Sequence, residues 1–108
     1  MSVMPWTVAV HSPAVAAQLE VWRADIRARF SRFVVLIESQ GLEKIREPHV
    51  KHLKGRLWEM RLIGRDGIAR AVYVTANGMR VVVVRASVRK SQRAPQRDLA
   101  RQRAREVR

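Results

Sequence analysis

Residues 57–95 read LWEMRLIGRDGIARAVYVTANGMRVVVVRASVRKSQRAP. Three short runs rich in β-formers, LWEMRLIG, GIARAVYVTA and MRVVVVRASV, precede a basic turn, RKSQRAP. Between the runs stand Gly64-Arg65-Asp66-Gly67 and Asn77-Gly78, hairpin sequences in which Gly or Asn accepts positive φ. The three runs therefore predict an antiparallel meander. A strand points successive side chains to opposite faces, so Trp58, Met60 and Leu62 share one face and Leu57, Glu59, Arg61 and Ile63 the other. Arg70 goes with Ile68, Val72 and Val74, and Tyr73 with Ala69 and Ala71. Strict alternation in the third run sets Val82, Val84, Ala86 and Val88 against Val81, Val83, Arg85 and Ser87. An unpaired buried charge is costly, so the cations inside these apolar strands are placed on an open face. Glu59, Arg61, Arg70 and Arg85 are expected on one side of a curved sheet, with helices covering the other.

Upstream, Trp6 to Val10 alternates β-formers and suits a first strand. Ser12 before Pro13 is a helix start, hydroxyl as N-cap and proline at the first helical position. Val15, Leu19 and Trp22 follow at helical spacing, and Asp25 is positioned to cap a second helix. In that second helix Ile26, Phe30, Phe33, Val34 and Ile37 form an apolar stripe that ends at Gln40-Gly41. Leu42 to Arg56 has weak periodicity and a proline, and reads as a connection with at most a turn or two of helix. Trp6, Trp22 and Trp58 read as core, His52 as a loop histidine, and His11 gets no role. Ala94-Pro95 opens a last helix running to about Arg105, with Arg93, Arg97, Arg101 and Arg105 in one cationic stripe. Its thin apolar side argues against firm docking.

A chain of 108 residues, 47% apolar, has room for a single domain (1–108) with a modest core. Twenty-two Lys and Arg against nine Asp and Glu give a net charge of +13, which points to a polyanionic partner, nucleic acid first and an acidic protein second. Without cysteine there is no disulfide or thiolate metal site, and with three histidines no metal is implied. No run approaches the roughly 18 apolar residues that span a bilayer, and the N-terminus has no signal-peptide pattern, so a soluble cytoplasmic protein is expected.

Arginine suits phosphate because its planar fork donates two hydrogen bonds and stays charged. Several such forks on one face would bind a phosphodiester backbone, or stabilise the extra charge of a pentacoordinate phosphorane without a metal. Cleaving RNA in this way also needs a base and an acid, for which Glu59, His52, Lys54 and Lys90 are at hand. Arg61 and Arg70 suit equally a structural role as solvated sheet-face residues, with Arg61 paired to a neighbouring carboxylate.

The same run resembles the phage-derived, HigB-type branch of the RelE/ParE toxins of bacterial toxin–antitoxin modules. LWEMR answers to that branch's LWELR motif, and GIARAVY to G-x-x-R-V-x-Y. The valine-rich strand and RASVRKS stand where the branch has a valine-rich strand and H-x-F-x-K-K-T, ahead of a helix-opening proline. PHVKHLKGR and WRADIRARFSRFVVLIESQG also fit, so the resemblance covers nearly the whole chain. It implies a RelE-like α+β fold: two N-terminal helices packed on a curved, mainly antiparallel four-stranded sheet, with a short C-terminal helix. It implies a toxin that inhibits translation as a ribosome-dependent, metal-independent mRNA endonuclease with no cofactor. The implied partners are the ribosome, mRNA and a cognate HigA-like antitoxin with a helix-turn-helix. Carried over by position, Arg61, Arg70, Lys90 and Glu59 are the catalytic candidates, and Arg89 stands with Lys90 where the family has its Lys-Lys pair. With Arg89, the further cations Lys51, Lys54, Arg85 and Arg93 are the candidates for contact with RNA or the ribosome. Departures from the pattern include Arg85 in place of a histidine, Ser87 of a phenylalanine, and Ala94 of a threonine-like residue. The alternatives are a gyrase-poisoning ParE-like toxin and a non-catalytic basic module that binds RNA or an acidic partner.

Overall fold

The computed structural model describes residues 6–46, 49–65, 67–88 and 94–107, with the side chains of 94–99 outside the description. The elements run β1 (Thr7–Val10), α1 (Pro13–Glu20), α2 (Ala24–Gln40), a 3-10 turn (Leu42–Lys44), β2 (Val50–Lys54), β3 (Leu57–Ile63), β4 (Ile68–Ala76), β5 (Arg80–Val88) and α3 (Ala94–Arg105). The strands form one sheet in the order β1-β5-β4-β3-β2. β2, β3, β4 and β5 pair antiparallel in succession, while β1 returns parallel to β5 at the far edge. The expected meander is present. The sheet has five strands rather than four, because Val50–Lys54, read as part of a connection, is an edge strand on β3.

That strand was hidden by its composition. Only Val50 is buried, and Lys51, His52, Leu53 and Lys54 all face solvent. No period-2 apolar pattern survives in such a strand, and lysines on a sheet edge discourage pairing with another chain. Gly55, at φ 57, closes the β2–β3 turn.

α1 and α2 cover one face of the sheet. Ser12 Oγ accepts from Val15 N at 3.4 Å with Pro13 at the first turn, as the sequence predicts. α2 buries Ile26, Phe33 and Ile37 against Met60, Leu62, Ala69, Ala71, Tyr73, Val81, Val83 and Ala86. Burying each large α2 side chain contributes roughly 1.5–3 kcal/mol. Small alanines on β4 leave room for the helix, and Gly41 at φ 103 ends it.

Asp25 does not cap α2. Arg23 occupies the N-cap without a side-chain bond, and Asp25 lies in the first turn, where its Oδ2 accepts from Arg65 N at 2.6 Å. The carboxylate thereby ties the β3–β4 turn to the start of α2. That backbone hydrogen bond, more than any other influence, lowers the Asp25 pKa from its ordinary value. Trp58 is not core either: it is 38% exposed near the β2 edge and sits beside the His52 ring, centroids 4.9 Å apart.

The opposite face carries a second core: Leu57, Val72, Val74, Val82 and Val84 under Ala100, Ala104 and Val107. Helices therefore cover both faces, with α3 on the face expected to be open. α3 is held more firmly than its apolar content suggests. Small residues let it approach closely, and cations bond the backbone around it. Arg103 Nη1 donates to Val84 O at 2.8 Å, and Arg56 Nη1 donates to Ala104 O and Val107 O, each at 2.9 Å. His11 Nε2 meets Glu106 Oε1 at 2.8 Å, joining the end of β1 to the turn after α3. Among the described residues, no helix is long and apolar enough to cross a membrane.

Candidate functional site

β3, β4 and β5 bring their charged residues together by register. Across the sheet, Lys51 pairs with Glu59, Glu59 with Val72, and Val72 with Arg85. One step along the strands, Arg61 pairs with Arg70, and Arg70 with Ser87. Two adjacent cross-strand rows on the α3 side of the sheet thus hold Lys51, Glu59, Arg85, Arg61, Arg70 and Ser87.

A β-bulge makes the β5 part of this possible. Tyr73 opposes Val83 whereas Val72 opposes Arg85, so Val84 is an extra residue in β5. The strict alternation read from the sequence fails at this point. Val82 and Val84 lie in the α3-side core, but Ala86 joins the α1/α2-side core with Val81 and Val83. Arg85 and Ser87 are turned to the α3 side, and Arg85 joins Arg61 and Arg70 as expected, through a register shift that the expectation lacked.

The arginines are less exposed than a solvated sheet face would make them. Arg85 is 6% exposed, and the side chains of Arg61 and Arg70 are 39% and 22% exposed. Two guanidinium groups directly opposite one another repel. The counter-charge is Glu59, itself 6% exposed, whose Oε1 lies 3.7 Å from Arg61 Nε and 3.8 Å from Arg70 Nε. Both separations are ion-pair contacts beyond hydrogen-bonding range. Accordingly Arg61 Nε, Arg70 Nε and Ser87 Oγ are buried donors without a hydrogen-bond partner among the described residues.

Beside these rows a cleft of ≈ 270 Å³ opens between the β2 edge and α3. Leu53, Leu57, Val72 and Ala100 give it apolar walls, and Lys51, Lys54, Arg85 and Arg101 surround them with positive charge. Positive charge around apolar walls suits an anion with an apolar attachment.

The structure therefore collects Glu59, Arg61, Arg70, Arg85 and Lys51 in one place and puts Lys54 on the cleft wall. Arg89, Lys90 and Arg93 lie outside the described residues. His52 Nε2 is engaged with Gly55 O at 2.8 Å and so serves the β2–β3 turn. Sequence reasoning missed Ser87 and Arg101. Arg101 belongs to the cationic stripe of the last helix, but nothing in the sequence says that this stripe borders the cleft. Among the described residues, no cluster of three or more His, Cys, Asp or Glu has the geometry to hold a metal ion.

Two solved structures share this architecture. A double arginine-to-alanine variant of the E. coli toxin RelE in the free state superposes with a TM-score of 0.66 at 16% identity, covering 93% of this chain and 98% of the other. The archaeal RelE–RelB complex from Pyrococcus horikoshii OT3 gives a TM-score of 0.59 at 19% identity, covering 82% of this chain and 100% of the other. No curated protein matches the sequence. Residues 17–106 match the family described as "Phage derived protein Gp49-like (DUF891)". The chain belongs to this phage-derived, Gp49-like family, and its fold is similar to that of RelE.

Proposed function

We propose that this protein is the HigB-type toxin of a type II toxin–antitoxin module and cleaves mRNA on the ribosome. The observation that carries the reading is the guanidinium pair of Arg61 and Arg70, cross-strand neighbours with unsatisfied buried Nε donors around one buried carboxylate. A net charge of +13 supports an RNA partner. In this reading the 2′-oxygen attacks the adjacent phosphorus and the P–O5′ bond breaks. A proton leaves the 2′-hydroxyl for a base, and another reaches the 5′-oxygen from an acid. Arg61 and Arg70 bind the non-bridging oxygens and stabilise the added charge of the phosphorane. Lys90 supplies further positive charge at the scissile phosphate. Glu59 holds the two arginines in place, and Lys51, Lys54, Arg85, Arg89 and Arg93 contact RNA or the ribosome. The inhibitory partner is a HigA-like antitoxin with a helix-turn-helix, acting in the cytoplasm.

The test is induction of wild type and Arg70→Ala in growing cells, with mRNA 5′ ends mapped in each. Wild type should arrest growth and leave codon-phased cuts in translated messages. Arg70→Ala should fold and do neither. Undiminished toxicity of Arg70→Ala would sink the assignment, and arrest without codon-phased cuts would transfer the reading to a gyrase-poisoning toxin.

A further inference from the structure

Ser87 lies near the end of β5, directly across from Arg70 and in the same cross-strand row as Arg61. Its Oγ is buried and has no hydrogen-bond partner among the described residues. A buried hydroxyl left in that condition destabilises the fold. The adjacent cross-strand pair shows a cheaper solution: Ala86 and Ala71, which oppose each other, are small, apolar and buried. What distinguishes Ser87 is its company. Arg61 Nε and Arg70 Nε, the other two side chains of the row, also present buried donors without an acceptor among the described residues. The nearby carboxylate, Glu59 Oε1, stands 3.7 and 3.8 Å from the two arginines, too far for a hydrogen bond to either. Three donors from three adjacent strands thus share one cross-strand row without a hydrogen-bond acceptor among the described residues, and two of the donors are cationic. An acceptor-rich tetrahedral anion satisfies all three. A hydroxyl is suited to the third place because its proton rotates to meet whichever oxygen is presented.

We propose that Ser87 is a substrate-binding residue, whose hydroxyl donates to a non-bridging oxygen of the RNA phosphodiester that Arg61 and Arg70 hold. The inference rests on the RNA reading given above. It adds a neutral, directional contact to a site otherwise built from charge, and that difference makes it measurable. A cation that meets phosphate releases counterions, so losing it flattens the salt dependence of binding. A hydroxyl releases none.

The experiment is fluorescence anisotropy of a labelled single-stranded RNA across a range of salt concentrations, with thermal unfolding of the same samples. Wild type, Ser87→Ala, Ser87→Thr and Arg70→Ala are compared. Ser87→Ala should weaken RNA binding roughly tenfold or more. Its Tm should be unchanged or higher, because an orphaned buried group has gone, and its salt slope should equal that of wild type. Ser87→Thr should restore binding. Arg70→Ala should lose affinity and reduce the slope by about one. Ser87→Ala binding RNA as tightly as wild type would overturn the assignment and leave the RNA reading standing. So would a loss of binding that comes with a lowered Tm, or a threonine variant that fails to rescue. A wild-type protein with no affinity for this RNA would overturn the assignment of Ser87, whereas the ribosome-dependent reading falls only by the growth-arrest and mRNA-end test given above.

Discussion

Replacing Glu59 with glutamine keeps the side chain's shape and removes a negative charge that lies within 4 Å of two guanidinium groups. Glu59 Oε1 is 3.7 Å from Arg61 Nε and 3.8 Å from Arg70 Nε, where an effective dielectric of about 20 gives roughly 4 kcal/mol of gross attraction per pair. The net value is much smaller. Desolvating a carboxylate that is 6% exposed opposes the attraction, and water screens Arg61, whose side chain is 39% exposed. Removing one partner of a fully buried pair costs about 3–5 kcal/mol, and the exposure of the arginines brings this down to about 2–4 kcal/mol. Part of that loss is the unmasked repulsion between Arg61 and Arg70, which stand directly opposite each other. Glu59→Gln should therefore lower Tm by roughly 10–20 °C for a domain of this size. Circular dichroism during thermal and urea unfolding measures it. Two further readouts separate the electrostatic cause from a packing defect. The double variant Glu59→Gln/Arg70→Met should be more stable than the sum of the single losses predicts, with a coupling of about 1 kcal/mol or more. Added phosphate should raise the Tm of Glu59→Gln more than that of wild type, because the uncompensated guanidinium pair binds an anion more tightly. Glu59→Gln unfolding at the wild-type midpoint, or a strictly additive double variant, would refute the view that this carboxylate is the counter-ion of the pair.

Arg56→Ala should loosen α3 before anything else, since it removes the donors to Ala104 O, Val107 O and Thr75 O. The expected cost is about 1–2 kcal/mol for an exposed arginine, read as faster amide exchange in α3 with the β4 and β5 amides unaffected. Tyr73, the one tyrosine in the chain, is buried, and desolvation pushes its phenol up to about 12. The folded state therefore keeps its proton where the unfolded chain has lost it, and Tyr73's contribution to stability, full below pH 10, should fall as pH rises from about 10 to 12. Tyrosinate absorbance should titrate near 12 in the folded protein and near 10 in denaturant; a midpoint near 10 with native circular dichroism would contradict the burial.

The parts of the fold that were legible are those whose pattern is enforced by a buried face. The stripe of α2 and the alternation of β3 and β4 were readable because Ile26, Phe33, Ile37, Met60, Leu62, Ala69 and Ala71 all meet in one core. β2 has a single buried residue, so no apolar pattern marks it. α3 was readable as a helix, but its docking was not, because Arg56 and Arg103 bond to backbone carbonyls that no sequence pattern identifies. For the site, alternation put Glu59 and Arg61 on one face of their strand, and the cost of burying an unpaired charge put Arg70 on the same side of the sheet. The ion pairs around Glu59 and the place of Ser87 did not, because both depend on which residues oppose one another between strands.

The β5 bulge is the sharpest case, because one residue decides which side of the sheet receives a charge. In the run VVVVRAS the four valines give no phase signal: each face accepts valine, and either register is consistent with burial. With Val84 as the extra residue, Val81, Val83 and Ala86 face α1 and α2, while Arg85 and Ser87 face the α3 side. Deleting Val84 restores strict alternation and forces a choice. Either Arg85 and Ser87 turn into the core beneath α1 and α2, among Ile26, Ile37 and Tyr73, or the upstream half of β5 flips and breaks its parallel pairing with β1. Burying an unpaired guanidinium costs several kcal/mol, and losing the β1–β5 register exposes apolar surface of similar worth. Both alternatives consume most of the about 5–15 kcal/mol that holds a domain of this kind together. The deletion variant should therefore fail to fold, whereas Val84→Ala, which keeps the residue count, should fold with a loss of about 2–3 kcal/mol for the vacated volume. A deletion variant that unfolds cooperatively near the wild-type Tm would show that the bulge is not what sets the face of Arg85 and Ser87.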